Sequence, residues 1–242
     1  MGAVTEDADL VRAVRTTLAQ AADPQRAVPM QAYMKSEMPF RGIASPALRT
    51  LLSPLLAAHP LPDLVTWTGT IRELWDPAAF REERYAALAI ARHRHHRMHQ
   101  VPEALDLYEH LVRSGAWWDL VDETSHLVGG VLRAHPEVRP VLEDWAVSED
   151  LWLRRSSIIC QVGARDGLDR DLLVLAIDAN LDGSTRTTPA LSPYGREFFV
   201  RKAIGWALRD HARTDPGWVR AFVAERADSL SGLSQREALR HL

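Results

Sequence analysis

The chain has 242 residues, of which 46% are hydrophobic and 25% charged, and its formal net charge at pH 7 is −3. This composition is typical of one large or two small globular domains and lacks the basic surplus that marks many nucleic-acid-binding proteins. The single cysteine, Cys160, excludes an internal disulfide and a cysteine-rich zinc site. No apolar run reaches the roughly 18 residues that span a bilayer, and the first twenty residues include Glu6, Asp7 and Asp9. We therefore expect a cytoplasmic protein without a signal peptide.

Apolar residues recur at helical spacing along most of the chain. One run extends from Leu10 to Leu18 and another from Leu48 to Leu56, and apolar residues three and four positions apart form one face of an amphipathic helix. A capping residue followed by proline predicts helix starts at Ser45-Pro46, Asp76-Pro77 and Asp215-Pro216. Because no segment shows the alternation of a strand rich in β-branched residues, the sequence predicts an all-α protein.

A short pattern recurs along the chain: a basic residue, any residue, a small residue and an apolar residue. It begins at Arg84, Arg155, Arg201 and Arg236, at intervals of 71, 46 and 35 residues. The first interval corresponds to two units, and helix pairs of about 35 to 46 residues are typical of HEAT-like solenoids. The sequence thus predicts a single helical-repeat domain over residues 1–242, with a concave face along which the arginines lie, and a turn-rich loop insertion at about residues 182–195.

Several common catalytic motifs are absent from the sequence. It contains no P-loop, because neither lysine follows a glycine, and no G-x-G-x-x-G, H-E-x-x-H or G-x-S-x-G motif. The densest group of possible metal ligands lies at residues 92–99, where four histidines alternate with three arginines. His95 and His99 would share a helix face and could bind a metal, but the neighbouring positive charges favour a solvated, partly cationic surface.

The most informative segment is Trp117-Trp118-Asp119-Leu120-Val121-Asp122. On a helix Asp122 lies one turn after Trp118, so an indole and a carboxylate occupy the same face. A purely structural interpretation is also open at this point. In that interpretation Trp117 fills the core, and Asp119 or Asp122 caps the next helix.

Motifs distributed over nearly the whole chain resemble one known family. The longest are Trp117–Asp122, Leu151-Trp152-Leu153-Arg154-Arg155 and Glu197-Phe198-Phe199-Val200-Arg201-Lys202-Ala203-Ile204-Gly205-Trp206. Shorter ones are Pro29–Lys35, Gly42–Pro46, Ile71–Asp76 and Leu233–Ala238. With these motifs the sequence resembles the AlkD-type DNA alkylation-repair glycosylases, which are built of HEAT-like repeats.

This resemblance implies an enzyme that excises positively charged N-alkylated purines, namely 7-methylguanine, 3-methyladenine and bulkier adducts, in base excision repair. It implies hydrolysis of the N-glycosidic bond without base flipping, on double-stranded DNA, by a monomer that needs neither a metal nor a cofactor. By motif, the catalytic residues would be Trp118, Asp122 and Trp206. Arg155 would be the active-site arginine, which would either hold a DNA backbone phosphate or orient Asp122. Tyr33 would lie near the same cleft, against DNA. The alternative is a non-catalytic HEAT-repeat module that binds DNA or acts as a protein scaffold.

The distribution of charge modifies the conclusion drawn from the net charge. Residues 1–150 contain 15 basic and 21 acidic residues, whereas residues 151–242 contain 14 basic and 11 acidic ones. We therefore predict weak, salt-sensitive DNA binding through the second part of the chain. The cations predicted to bind DNA there are Arg155, Arg201, Lys202 and Arg209.

Overall fold

A computed structural model describes residues 6–181 and 195–242. These residues form thirteen α-helices and four short 3₁₀ turns, without a strand, so the all-α prediction is confirmed. The predicted loop insertion at about 182–195 lies, except for Gly195, outside the described residues. The helices are α1 (Ala8–Gln20), α2 (Pro24–Met34), α3 (Ser45–Ala58), α4 (Leu64–Trp75), α5 (Arg81–Ala91), α6 (Leu105–Gly115), α7 (Trp118–Ala134), α8 (Arg139–Val147), α9 (Leu151–Ile159), α10 (Arg170–Asp178), α11 (Phe198–His211), α12 (Pro216–Glu225) and α13 (Gly232–Ala238).

The helices group into two compact units, Met1–Leu107 and Tyr108–Leu242, and the division falls within α6. In the first unit, α1, α3, α4 and α5 pack together around large side chains that include Trp67 and Trp75, both with no exposed surface. The single-domain assignment from the sequence stays a prediction. No helix among the described residues is long and apolar enough to cross a membrane.

Helix starts predicted from proline agree with the structure at only some positions. α12 begins at Pro216, and Asp215 caps it by accepting a hydrogen bond from the Trp218 backbone N–H, as predicted. α3 begins one residue early, at Ser45, with Ala44 as its cap. The start predicted at Asp76-Pro77 is wrong because Asp76 ends α4, and α5 begins only at Arg81.

A buried carboxylate in the first unit organises the segment that leads into α3. Glu82 has no exposed surface and accepts hydrogen bonds from the backbone N–H groups of Arg41, Gly42 and Ile43, at 2.8, 2.9 and 3.1 Å. Gly42 has φ +85°, and a Cβ there would collide with the Asp23 carbonyl oxygen. The turn therefore needs both glycine and the carboxylate.

We expect Glu82→Gln to lower the free energy of unfolding by about 1.5–3 kcal/mol, the usual contribution of a hydrogen bond to a charged group. The amide keeps one acceptor oxygen, but its NH₂ group would face a backbone N–H donor. Urea denaturation measures the difference. The exposed Glu225→Gln is the control, and equal stability of the two variants would contradict this role of Glu82.

The histidine-rich segment differs from its predicted solvated surface. Residues Arg94–His99 form a 3₁₀ turn in which His96 and His99 are 1% and 4% exposed. Their rings lie 2.9 Å from the carbonyl oxygens of Ile90 and Leu61, and burial lowers the pKa of His96 and favours its neutral form. The surface prediction is thus wrong for these two residues, because residues three apart in a 3₁₀ turn point the same way, here inward. The described residues contain no group of three or more ligand side chains able to hold a metal ion.

In the second unit, two side-chain contacts and one close approach of the backbone join α7 to α9 and the residue that follows it. Asp122 pairs with Arg155, and the Ser125 hydroxyl donates to Ser156 Oγ at 2.9 Å. Further along, a Cβ at Gly129 would collide with the Cys160 carbonyl oxygen. Because the paired positions increase together, the two helices run in the same direction, as equivalent helices of successive repeats do.

Further along the second unit, α11 packs against both α9 and α13. The arginines of the repeated pattern nevertheless differ in their surroundings: Arg155 is buried, Arg201 half-buried and Arg236 exposed. Burial of Arg155 sets the geometry of the candidate site.

Candidate active site

The turn between α6 and α7 places the two adjacent tryptophans. Ala116 adopts φ +40°, in the left-handed region, and Trp117 is extended, so that Trp118 becomes the first residue of α7. The side chain of Asp122, four residues later, lies on the same face of the helix as Trp118. Two non-helical residues thus determine which tryptophan shares a face with the carboxylate.

Asp122 and Arg155 form a two-pronged ion pair. The guanidinium Nε and Nη2 of Arg155 donate to the two carboxylate oxygens at 2.7 and 2.8 Å, and Nη1 donates to the Phe199 carbonyl oxygen at 2.7 Å. The Arg155 side chain is 5% exposed and that of Asp122 is 16% exposed. Planar pairing of this kind fixes orientation as well as charge. Arg155 thus orients Asp122, one of the two roles expected for it, and its predicted contact with DNA stays a prediction.

Burial raises the pKa of the Asp122 carboxyl, and the hydrogen bonds and charge of Arg155 act in the opposite direction. An arginine has only donors, so pairing with both oxygens requires the ionised carboxylate. Burial and pairing together give an ionised group with little water around it, in which electrostatic interactions are stronger than in bulk water.

Trp117 and Trp118 have different neighbours. Trp117 contacts the rings of Phe199 and Trp152, with centroids 5.3 and 6.1 Å away. Trp118 is half-buried, and its side chain makes no hydrogen bond or ring contact with any described residue. The structural interpretation of Trp117 as a packing residue agrees with these contacts. The proposed capping role of Asp119 or Asp122 is wrong, because Trp117 occupies the cap position and Asp122 pairs with Arg155.

Trp206 lies on α11, half-buried against the hydrophobic core of the second unit. Its ring meets the imidazole of His126 with a centroid distance of 6.3 Å and an interplanar angle of 84°. His126 is exposed and lies one turn beyond Asp122 on α7, where a positive charge would lower the pKa of the Asp122 carboxyl. None of the sequence motifs assigns a role to His126, although its four-residue spacing from Asp122 is a usable signal.

Comparison with known proteins identifies the family. A family model described as DNA alkylation repair enzyme matches residues 14–242. The chain belongs to the DNA alkylation repair enzyme family. It is also similar to the solved structure of a predicted DNA alkylation repair enzyme from Enterococcus faecalis, with 29% identity and a TM-score of 0.78, over 91% of this chain and 96% of that one. The search of curated proteins found no match. The family gives the chain a role in DNA alkylation repair, with DNA as its substrate.

In this DNA repair enzyme, the cations predicted to bind DNA are unequally neutralised. Glu237 of α13 accepts a hydrogen bond from Lys202 Nζ at 2.7 Å and also pairs with Arg209. The hydrogen bond from Lys202 is the main cause that lowers the pKa of the Glu237 carboxyl. Arg201 forms no ion pair with any described residue, and its Nε is buried without a partner. Arg201 is therefore the α11 cation most available to a phosphate.

The remaining predicted residue, Tyr33, belongs to the first unit of the enzyme. It lies on α2, and it is 77% exposed. Such exposure of a large aromatic side chain is compatible with the predicted contact to DNA, which stays a prediction.

Proposed function

We propose that this repair enzyme is a DNA glycosylase that hydrolyses the N-glycosidic bond of positively charged N-alkylated purines, chiefly 7-methylguanine and 3-methyladenine. One observation carries the proposal: the largely buried carboxylate of Asp122, which Arg155 holds on the same helix face as Trp118. An indole beside a fixed carboxylate suits the stabilisation of a positive charge.

The alkylated base needs little help to leave. Its ring already carries a positive charge, so it departs as a neutral base with the electron pair of the bond to C1′ of the deoxyribose. The sugar becomes an oxocarbenium-like cation, to which a water oxygen then bonds, and the water loses a proton to solvent. The products are the free base and an abasic site.

Asp122 would stabilise the cationic sugar and orient the attacking water. The electron-rich faces of Trp118 and Trp206 would add cation–π stabilisation of about 0.5–2 kcal/mol each. We assign no step to a metal or cofactor, and we propose that the protein acts as a monomer in the cytoplasm, on DNA.

We also propose that the enzyme acts without flipping the base, by contacting the deoxyribose. Half-buried Trp118 and Trp206 support this, because partly exposed indoles can meet a sugar at the edge of a duplex. A lesion that remains in the duplex need not fit a pocket, so the range of substrates would include bulkier adducts.

The test is release of free bases from duplex DNA that carries 7-methylguanine or 3-methyladenine, with undamaged DNA as the control. Release of the base together with an abasic site in the strand supports the proposal. Steeply salt-dependent DNA binding without base release would favour the alternative, a non-catalytic HEAT-repeat DNA-binding module.

We expect kcat/KM for base release to fall at acidic pH. The reactive form of Asp122 is the carboxylate, and burial raises the pKa of this group, so the rate declines below a midpoint higher than the usual value of about 3.9 for aspartate. Because the pKa of Asp122 is higher in the folded than in the unfolded chain, its ionisation lowers the free energy of unfolding as pH rises from the unfolded to the folded pKa. A profile of kcat/KM against pH, on duplex that already carries 7-methylguanine, measures the midpoint. A value that stays constant down to about pH 3.9, the usual pKa of aspartate, would contradict the role of the Asp122 carboxylate.

A further inference from the structure

We propose that His126 is a positioning residue that holds the indole of Trp206 in place for base excision. The inference rests on the proposed glycosylase function and adds a residue that neither the motifs nor the family resemblance assigns. Three observations carry it: the place of His126 on α7, its contact with Trp206, and the absence of a hydrogen bond or ion pair from either side chain to any described residue.

The place of His126 on α7 puts it beside the reacting group. Trp118, Asp122 and His126 follow one another at four-residue intervals, so they form one stripe along the helix. Arg155 holds Asp122 from α9, whereas His126 extends the stripe to α11, where Trp206 is located. The imidazole thus bridges from the helix of the carboxylate to that of the second indole.

The contact itself is edge-to-face. The two rings are nearly perpendicular, at 84°, with centroids 6.3 Å apart, within the range preferred by interacting aromatic pairs. No hydrogen bond to a described residue fixes Trp206 or the imidazole. Orientation of the exposed side of the indole consequently depends on His126, while the inner side packs on the core of the second unit.

Several charged groups on α7 and α11, the helices that carry His126 and Trp206, already have partners. Asp122 on α7 is already neutralised by Arg155 of α9, and on α11 Lys202 and Arg209 are paired with Glu237. His126 forms no ion pair with a described residue, and Trp206 is the one aromatic ring that it contacts among them.

The experiment compares His126→Ala, which removes the ring, with His126→Phe, which keeps an aromatic ring and removes the polar nitrogens. Single-turnover base release at saturating enzyme gives the rate of the chemical step, and fluorescence anisotropy gives Kd for the same duplex. We expect His126→Ala to slow release by about three- to tenfold, as expected for loss of an edge-to-face pair. Kd and the melting temperature should not change, and His126→Phe should restore most of the rate.

Two controls separate this role from others. His135→Ala, at the end of α7 and away from the stripe, should react at the wild-type rate. In a double-mutant cycle, His126→Ala should have no further effect once Trp206→Ala has removed the indole.

Three results would overturn the positioning role of His126. They are additive effects in the cycle, a loss of rate in His126→Phe equal to that in His126→Ala, and a change in Kd and its salt dependence. The last of these would indicate a phosphate contact. A wild-type protein that releases base no faster than His126→Ala overturns only this inference, whereas one that releases no base overturns the proposed function as well.

Discussion

Asp122→Asn is expected to slow release of 7-methylguanine by about 10²-fold or more, because loss of one group that stabilises developing charge commonly has this effect. Asparagine keeps the shape of the side chain and can still accept one hydrogen bond from Arg155, but it lacks the negative charge that faces the cationic sugar. Binding to undamaged duplex should change little, since removal of a negative charge does not weaken contacts with phosphates. The measurement is single-turnover release from methylated duplex.

Glu123→Gln is the matched control for this prediction. It makes the same change of charge on the adjacent, exposed residue of α7 and should release base at the wild-type rate. If Asp122→Asn released base as fast as Glu123→Gln, Asp122 would have no part in the chemistry. The acidic decline in kcat/KM should also be absent from the residual activity of Asp122→Asn.

The fold class could be predicted from the sequence because helical periodicity is a local property. The spacing of Leu10 and Leu18 already indicates α1, and Asp215 before Pro216 marks the start of α12. Asp76-Pro77 shows the limit of such reasoning, because the same local signal stands there at the end of α4. The next helix, α5, begins only at Arg81, whose backbone N–H donates to the Pro39 carbonyl oxygen at 2.9 Å. Tertiary contacts thus decided between two outcomes with equal local support.

The residues of the candidate site could be predicted from the sequence, but the contacts between their side chains could not. The motifs pointed to Asp122 and Arg155, yet they are 33 residues apart and no spacing rule states that their side chains meet with two hydrogen bonds. Likewise, the sequence made Lys202 and Arg209 appear available to DNA, whereas Glu237 of α13 neutralises both. Contacts between distant helices determine which charges remain free, and a linear pattern does not contain them.

Histidines illustrate the same point from two sides. Composition suggested that residues 92–99 are solvated, but the 3₁₀ turn directs His96 and His99 inward to backbone carbonyl oxygens. His126 has no histidine near it in the sequence, yet it contacts Trp206. Clustering in sequence was therefore a poor guide to chemistry, whereas position relative to Asp122 was informative.

Loss of Arg155 should be the most destabilising change at the site. Arg155→Met keeps an unbranched, flexible side chain but removes the guanidinium that donates to Asp122 and Phe199. Removing one partner of a buried pair leaves an uncompensated charge, and we expect a loss of about 3 kcal/mol in the free energy of unfolding at neutral pH. Urea denaturation monitored by far-UV circular dichroism measures it.

A second two-pronged pair in the same unit provides the control. Arg226 donates to Asp178 at 2.7 and 3.0 Å, but these side chains are 22% and 39% exposed, compared with 5% and 16% for Arg155 and Asp122. Because exposed pairs contribute about 0–1 kcal/mol, Arg226→Met should be much less costly than Arg155→Met. Adding Asp122→Asn to Arg155→Met removes the stranded charge and should recover part of the loss. If both methionine variants lost equal stability, or if the added Asn recovered nothing, burial of the Asp122–Arg155 pair would not be the source of its contribution.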